Sequence, residues 1–318
     1  MSNFIQLIKN EQMKLYAQVS TWVMLILIAV FVIGMGVFFK VDGMMSDDSE
    51  QAGENWEQQL EAENEQLQTE MEEEPGFTSM NEETLEMNQY RLDNDIPPDG
   101  YDVWDFVQEN RGNISIISLL TIIVAASIIA NEYKWGTIKL LLIRPISRTK
   151  ILAAKYTSVL IYALTMLLFL YLLSFLTGAA LFGFASPAEP YLFMKDGVVN
   201  EAPIFQHTAA QYLLSSVNLL MMATFAFMIS TVFRNSALAI GVAIFLMMSG
   251  NTIVSFFADK EWAKYILFAN TDLNQFFTGT PMISDLTLGF SVSILIAYLF
   301  VFLGLAWVFF TKRDVTNA

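Results

Sequence analysis

Cysteine is absent from the 318 residues, and histidine occurs once, at position 207. Without thiols there is no disulfide staple, no thiolate metal ligand and no thiol nucleophile. The lone histidine stands in the loop before a long apolar run and reads as a polar surface residue. There is no Gly-x-x-x-x-Gly-Lys-Ser/Thr stretch to cradle nucleotide phosphates, no His-Glu-x-x-His helix and no Gly-x-Ser-x-Gly elbow. A membrane enzyme is therefore the weakest of the function classes. Charge is scarce as well: 15% of the residues are charged against 54% hydrophobic, too apolar a mixture for a soluble protein of this size. The composition makes the bilayer the solvent.

What is present is a set of long apolar runs. A hydrocarbon core of about 30 Å needs about 20 apolar residues in helical form, because nothing there but the helix itself can satisfy the backbone. The expected organisation is an interfacial helix over 1–20, spans over 21–40, 114–130, 156–184, 212–233, 236–258 and 286–311, and an acidic outer segment over 41–113. A loop over 131–155, an outer loop over 185–211, short outer helices over 259–285 and a tail over 312–318 complete it. No Asp, Glu, Lys or Arg lies deep in any span, which argues against a proton relay or sodium site built on intramembrane carboxylates. The first span is long, follows about twenty residues of helical character and lacks a small-residue cleavage pattern, so it reads as a span that stays. The fold class is an all-α polytopic membrane protein with six transmembrane helices, an N-terminal interfacial helix and an acidic extracytoplasmic helical hairpin between spans one and two.

Basic residues set the expected orientation. Eleven lie before span one, between spans two and three, between spans four and five, and after span six; six lie on the other side, although its loops are longer. By the positive-inside rule both termini are cytoplasmic, in a multi-pass protein of a bacterial cytoplasmic membrane. The acidic balance is local. Twenty-two of the 32 acidic residues and three of the 17 basic ones lie between Lys40 and Asn113, so that segment carries −19 and the rest of the chain +4. Within it, residues 54–74 are strong helix formers with Trp56, Leu60, Leu67 and Met71 on one face. Pro75-Gly76 stops that helix, and a second begins at Ser79, where Ser79-x-x-Glu82 resembles a capping box, and ends before Pro97-Pro98. Two readings stay open: a solvated spacer, or an acidic field that gathers cationic molecules at the outer mouth of a membrane path.

Neutral polar residues occur at depth: Asn218 and Thr224 in span four, Ser249, Asn251, Thr252 and Ser255 in span five. They read either as interhelical hydrogen-bonding groups or, for Asn218, Asn251 and Thr252, as the lining of a translocation path or dimer interface. On the cytoplasmic side the opening stretch puts Ile5, Ile8, Leu15 and Val19 on one face with Phe4 beside them, as an interfacial helix does, and its tight join to span one makes it a lever on that span. The loop after span two carries five of the 17 basic residues in twenty positions. Gly136 and Thr137 allow a sharp turn, residues 138–143 make an apolar ridge, Pro145 breaks it, and Ser-Arg-Thr-Lys can cap a helix running through Lys155 into span three. An exposed apolar ridge between charged ends wants a groove on another protein.

Asn131-Glu132, Gly136-Thr137, Leu140-Leu141, Arg144-Pro145-Ile146-Ser147-Arg148, Ile151 and Lys155 together resemble the signature loop of the type-2 family of ATP-binding-cassette exporter permeases. Residues 262–277 are similar to the short outer helices that family places between its last two spans. The resemblance implies two paired permeases, a homodimer or two related chains, each served by a separately encoded cytoplasmic ATPase that holds the ATP and magnesium; this chain binds no cofactor, and neither metal nor nucleic acid is expected. It implies that Glu132, Gly136, Thr137, Leu140, Leu141, Arg144, Pro145 and Arg148 form the element that couples to the ATPase, and that Phe4, Ile8, Glu11 and Leu15 belong to the interface helix. The expected function is export of an amphiphilic or cationic compound, such as an antimicrobial peptide or lipid-like antibiotic. The alternative is a non-transporting sensor that binds a ligand through its acidic outer segment.

Overall fold

A computed structural model describes residues 2–45, 55–73, 78–98, 100–139, 146–184, 191–195, 197–277, 281–283 and 285–312. Helix α1 (Ser2–Tyr16) stops because the chain turns at Ala17 and Gln18, and α2 (Val19–Met45) starts at once. Two side chains of α2 cap the carbonyls that this turn strands: the Thr21 hydroxyl donates to Leu15 O at 2.6 Å and Trp22 Nε1 to Tyr16 O at 2.9 Å. Satisfying these carbonyls holds the angle between the two helices.

Outside the bilayer stretch, α3 (Trp56–Glu73) and α4 (Thr78–Asn94) form a hairpin with Leu60, Asn64, Asn81 and Asn88 buried in its seam. The second helix runs from Thr78, and the Ser79 side chain of the expected capping box lies outside what the structure describes. Helix α5 (Val103–Asn110) opens with a capping box in which the Asp102 carboxylate accepts from Trp104 N and Asp105 N while Asp105 accepts from Asp102 N. A 3-10 turn at Arg111–Asn113 joins it to α6 (Ile114–Lys134), and together they make one apolar helical run of 32 residues, Val103–Lys134. The helical run that carries span two thus extends outward past 114, where α5 buries Val103, Phe106 and Val107 against the next long helix. The approach is close: a Cβ on Gly178 would stand 3.2 Å from Val103 Cα.

That next helix, α7 (Arg148–Leu181), is followed by β1 (Tyr191–Lys195) and β2 (Val198–Ala202), paired antiparallel with Lys195 opposite Val198. Then come α8 (Ile204–Phe233), α9 (Ser236–Phe256), the short α10 (Leu267–Thr271) between 3-10 turns at Ala263–Tyr265 and Leu273–Phe276, and α11 (Leu288–Lys312). The β-hairpin falls in what reads from the sequence as a plain outer loop. It carries α4 through Tyr90 OH, which donates to Glu201 at 3.0 Å, and sits on α5 through Tyr191 OH, which donates to Gln108 at 3.1 Å.

Among the described residues six helical runs are long and apolar enough to cross a membrane. The chain is an all-α polytopic membrane protein in its spans. Helix α6 is central, buried nearly all round and packed mainly against α8, with small residues buried on both helices (Ala125, Ala126; Ala223, Ala226) and the Ser230 hydroxyl donating to Ala126 O. Small residues let helices approach closely where lipid offers no hydrophobic gain. Helices α2 and α11 are peripheral, with exposed Phe31, Phe38, Phe300 and Trp307. The start of α7 and the end of α11 meet where Arg148 Nη1 donates to Thr311 O at 3.0 Å and Trp307 Nε1 to Thr149 at 3.0 Å. Since α1 also packs on α7, both ends of the described chain lie at one end of the bundle and the α3–α4 hairpin at the other.

Candidate functional site

The α1 end of the bundle gathers four charged side chains from three elements. Helix α7 carries Ile151, Lys155, Ser158 and Tyr162 at helical spacing on its buried face, so Lys155 enters the core with only 1% of its surface exposed. Its ammonium donates to Glu11 Oε2 at 2.8 Å, to Glu132 Oε1 at 2.9 Å and to Ile128 O at 3.2 Å. Three donors thereby meet three acceptors, the full capacity of an ammonium group. Glu11 comes from α1, where it shares a face with buried Leu15; Glu132 comes from the last turn of α6. Lys14 closes the group from the rim, 3.1 Å from both carboxylates. Burial pulls the Lys14 pKa down and Glu11 and Glu132 pull it up; the carboxylates prevail and hold it above the ordinary lysine value.

The loop is tied to the same group. Thr137 donates through its hydroxyl to Glu132 Oε2. Gly136, at φ +69°, makes the turn that brings Thr137 back, a conformation other residues reach only at a cost. Trp135 is thrown outward and 65% exposed. Beside it a cleft of about 230 Å³ opens between the α1–α2 elbow and α6, lined by Glu11, Lys14 and Glu132 of the ion group together with apolar Met24, Ile123 and Val124. Arg234, in the left-handed turn between α8 and α9, lies over the Tyr133 ring at 4.4 Å and joins that turn to the end of α6.

Of the residues expected to couple to a partner, Glu132, Gly136 and Thr137 form one unit, and Arg148 bonds to Thr311 instead. Leu140, Leu141, Arg144 and Pro145 lie outside the described residues. Ile138 is 1% exposed and belongs to the core, not to an outward ridge. The Ser147 side chain makes no capping bond, although α7 does begin at Arg148. The face read as apolar divides: Ile5 on α1 is 67% exposed and Val19, which opens α2, is 76% exposed, Phe4 and Ile8 are half-buried, and the face of α1 packed inward runs through Glu11 and Leu15. Asn251 and Thr252 are exposed together on α9, whereas Asn218 is half-buried on α8 with its Oδ1 unpartnered, and no hydrogen bond joins the three among the described residues.

Lys14 was legible only as a basic count on one side of the membrane and Lys155 only as a member of the loop motif, and their pairing with Glu11 and Glu132 was missed. The signal was present: Ile151, Lys155 and Tyr162 recur at helical spacing, as do Glu11 and Leu15. No group of three or more His, Asp or Glu able to hold a metal occurs among the described residues.

The family model described as "Protein of unknown function (DUF2705)" matches residues 76–316. The chain is 44% identical over 317 residues to "Uncharacterized protein YhcI" of Bacillus subtilis (strain 168), covering 98% of this chain and 100% of that protein. It is 34% identical over 203 residues to "Uncharacterized membrane protein YdbK" of the same organism, covering 63% of this chain and 78% of that protein.

Proposed function

Because the chain belongs to the DUF2705 family, whose function its description leaves open, we propose a role from the site itself: this is the membrane-spanning subunit of an ATP-driven exporter, moved by a separate ATPase that docks at the α1 end. The observation that supports this best is the Glu11–Lys155–Glu132 group, which ties the surface helix, the end of span two and the start of span three into one rigid joint. A push on the 131–148 loop or on α1 is then carried into three spans rather than absorbed by a loose connection. In this reading the α1 end is cytoplasmic, as its excess of lysine and arginine favours. ATP and magnesium belong to the partner, a second permease copy or relative completes the path, and Asn251 and Thr252, exposed on α9, face that second copy. The cargo is an amphiphilic or cationic compound, for which a cleft lined by both charged and apolar side chains offers a lateral entry.

The test is ATPase stimulation in the reconstituted complex. Glu132→Ala and Gly136→Trp should each abolish stimulation by cargo while the chain stays inserted, and the chain purified alone should hydrolyse no ATP. Unchanged stimulation in both variants would overturn the docking site.

One observation favours the sensor alternative. The acidic hairpin is not a free appendage, since α4 bonds to the β-hairpin and the β-hairpin to α5, giving the outer segment a bonded route to span two. A sensor would pass a signal along that route with no flux. Cargo flux that requires ATP hydrolysis separates the two readings.

A further inference from the structure

At the end of the bundle away from α1, Arg111 sits in the 3-10 turn between α5 and α6. It makes no ion pair among the described residues, and its Nη1 is buried without a hydrogen-bond partner. It lies close enough to Tyr191, His207 and Tyr212 for its charge to act on each. Those residues are otherwise engaged: Tyr191 bonds to Gln108, Tyr212 donates to Val107 O at 2.7 Å, and His207 is 2.7 Å from Gln211. Asp105, whose charge also reaches Tyr191, accepts from Asp102 N in the capping box of α5. Beside His207, Thr208 is fully buried and its hydroxyl too has no partner. The β-hairpin stacks over this wall, with the Tyr191 and Phe193 rings 4.8 and 4.5 Å from His207.

A buried guanidinium donor left unpaired is costly, and native sites supply the missing acceptor. Depth says where such an acceptor comes from. The 32-residue run Val103–Lys134 rises about 48 Å, more than a hydrocarbon core is thick, whereas its 21-residue α6 part rises about 31 Å and matches one. Arg111 stands one turn beyond its first residue and hence in the headgroup layer. The guanidinium fork matches the paired oxygens of a phosphate.

We propose that Arg111, walled by Gln108, His207 and the β-hairpin, is a binding site for a phosphate group presented by an anionic phospholipid of the leaflet opposite α1. Occupied, it ties the β-hairpin, α5 and the start of span two to the membrane surface, at the point where the acidic hairpin joins the bundle. This depends on the chain's placement in a bilayer and not on its being an exporter subunit.

The test uses the full chain in nanodiscs of phosphatidylcholine with increasing phosphatidylglycerol. The wild type should show a thermal midpoint that rises with phosphatidylglycerol and should retain that lipid on mild detergent extraction. Arg111→Gln should be no less stable than the wild type in pure phosphatidylcholine, lose the phosphatidylglycerol dependence and retain about tenfold less of the lipid, with Arg111→Lys between them. If millimolar inorganic phosphate reproduces the stabilisation in pure phosphatidylcholine, and Arg111→Gln removes it, the site takes the same group from solution. Equal dependence on phosphatidylglycerol in wild type and Arg111→Gln, or none in the wild type with either source, would overturn the proposal. If Arg111→Gln fails to fold in phosphatidylcholine, the wild-type titrations and Arg111→Lys decide.

Discussion

At the α1 end of the bundle two carboxylates and two ammonium groups lie 2.8 to 3.1 Å apart and their charges cancel, whereas at the opposite end the 40–113 segment carries −19 with its Glu side chains mostly in solvent. The first arrangement is expensive to assemble, since each ion loses its water, and every partner is then needed. The second costs little, and no single charge in it matters much to the fold. A site that transmits force needs the first kind of construction, because only a group that cannot rearrange cheaply moves its neighbours when it is moved. Concentrated charge in the sequence therefore marks the less critical region, and the critical one is built from four charged residues scattered over 144 positions between Glu11 and Lys155.

The sharpest way to break this comparison is Lys155→Met. It leaves Glu11 and Glu132 facing each other with only the half-exposed Lys14 between them, and stability should fall by about 3–5 kcal/mol, read as a lower thermal midpoint in detergent. Replacing all three at once, Glu11→Gln, Glu132→Gln and Lys155→Met, should recover much of that loss, because no uncompensated ion remains. A triple variant as unstable as the single one would mean that Lys155 holds the helices by shape and not by charge.

What the sequence disclosed follows the same division. The six runs and the surface helix are legible because apolar length is a property of each segment by itself. The ion group is not, because it depends on which helices meet, and no spacing relates Glu11 to Lys155. The β-hairpin was legible in principle: Tyr-Leu-Phe-Met-Lys and Val-Val-Asn-Glu-Ala flank Asp-Gly, a strong short hairpin signal, and Gly197 has φ +72°. Between two long apolar runs, two strands of five residues are too short to stand out from loop. The helix α5 ahead of span two is hidden because Asp102, Asp105 and Glu109 look like more of the acidic segment, whereas Asp102 and Asp105 cap a helix whose other face is buried.

A smaller effect sharpens the loop's part in the joint. Gly136 has open space where a Cβ would stand, so Gly136→Ala meets no clash and suffers only from its left-handed backbone. The expected cost is about 1 kcal/mol. If the loop is a rigid part of the joint, cargo-stimulated ATPase activity should fall by more than that stability loss accounts for; a variant with wild-type stimulation would show a turn that merely connects.

The smallest expected effect on stability comes from the hairpin, and it carries the most information about the acidic end. Glu57, Glu61, Glu63, Glu65, Glu70, Glu82, Glu83 and Glu86 are all exposed. Changing the eight to Gln removes eight negative charges and keeps shape and helix propensity, so the thermal midpoint should shift by no more than about 0.5 kcal/mol per site allows, and in either direction. If the segment only keeps a weakly apolar hairpin in solution, nothing else changes. If its field draws cationic molecules to the bundle, binding of a cationic amphiphilic peptide should weaken, and its salt dependence should flatten, because attraction between exposed charges is what salt screens. Flattened salt dependence alongside an unchanged midpoint is an outcome that the spacer reading has no means to produce.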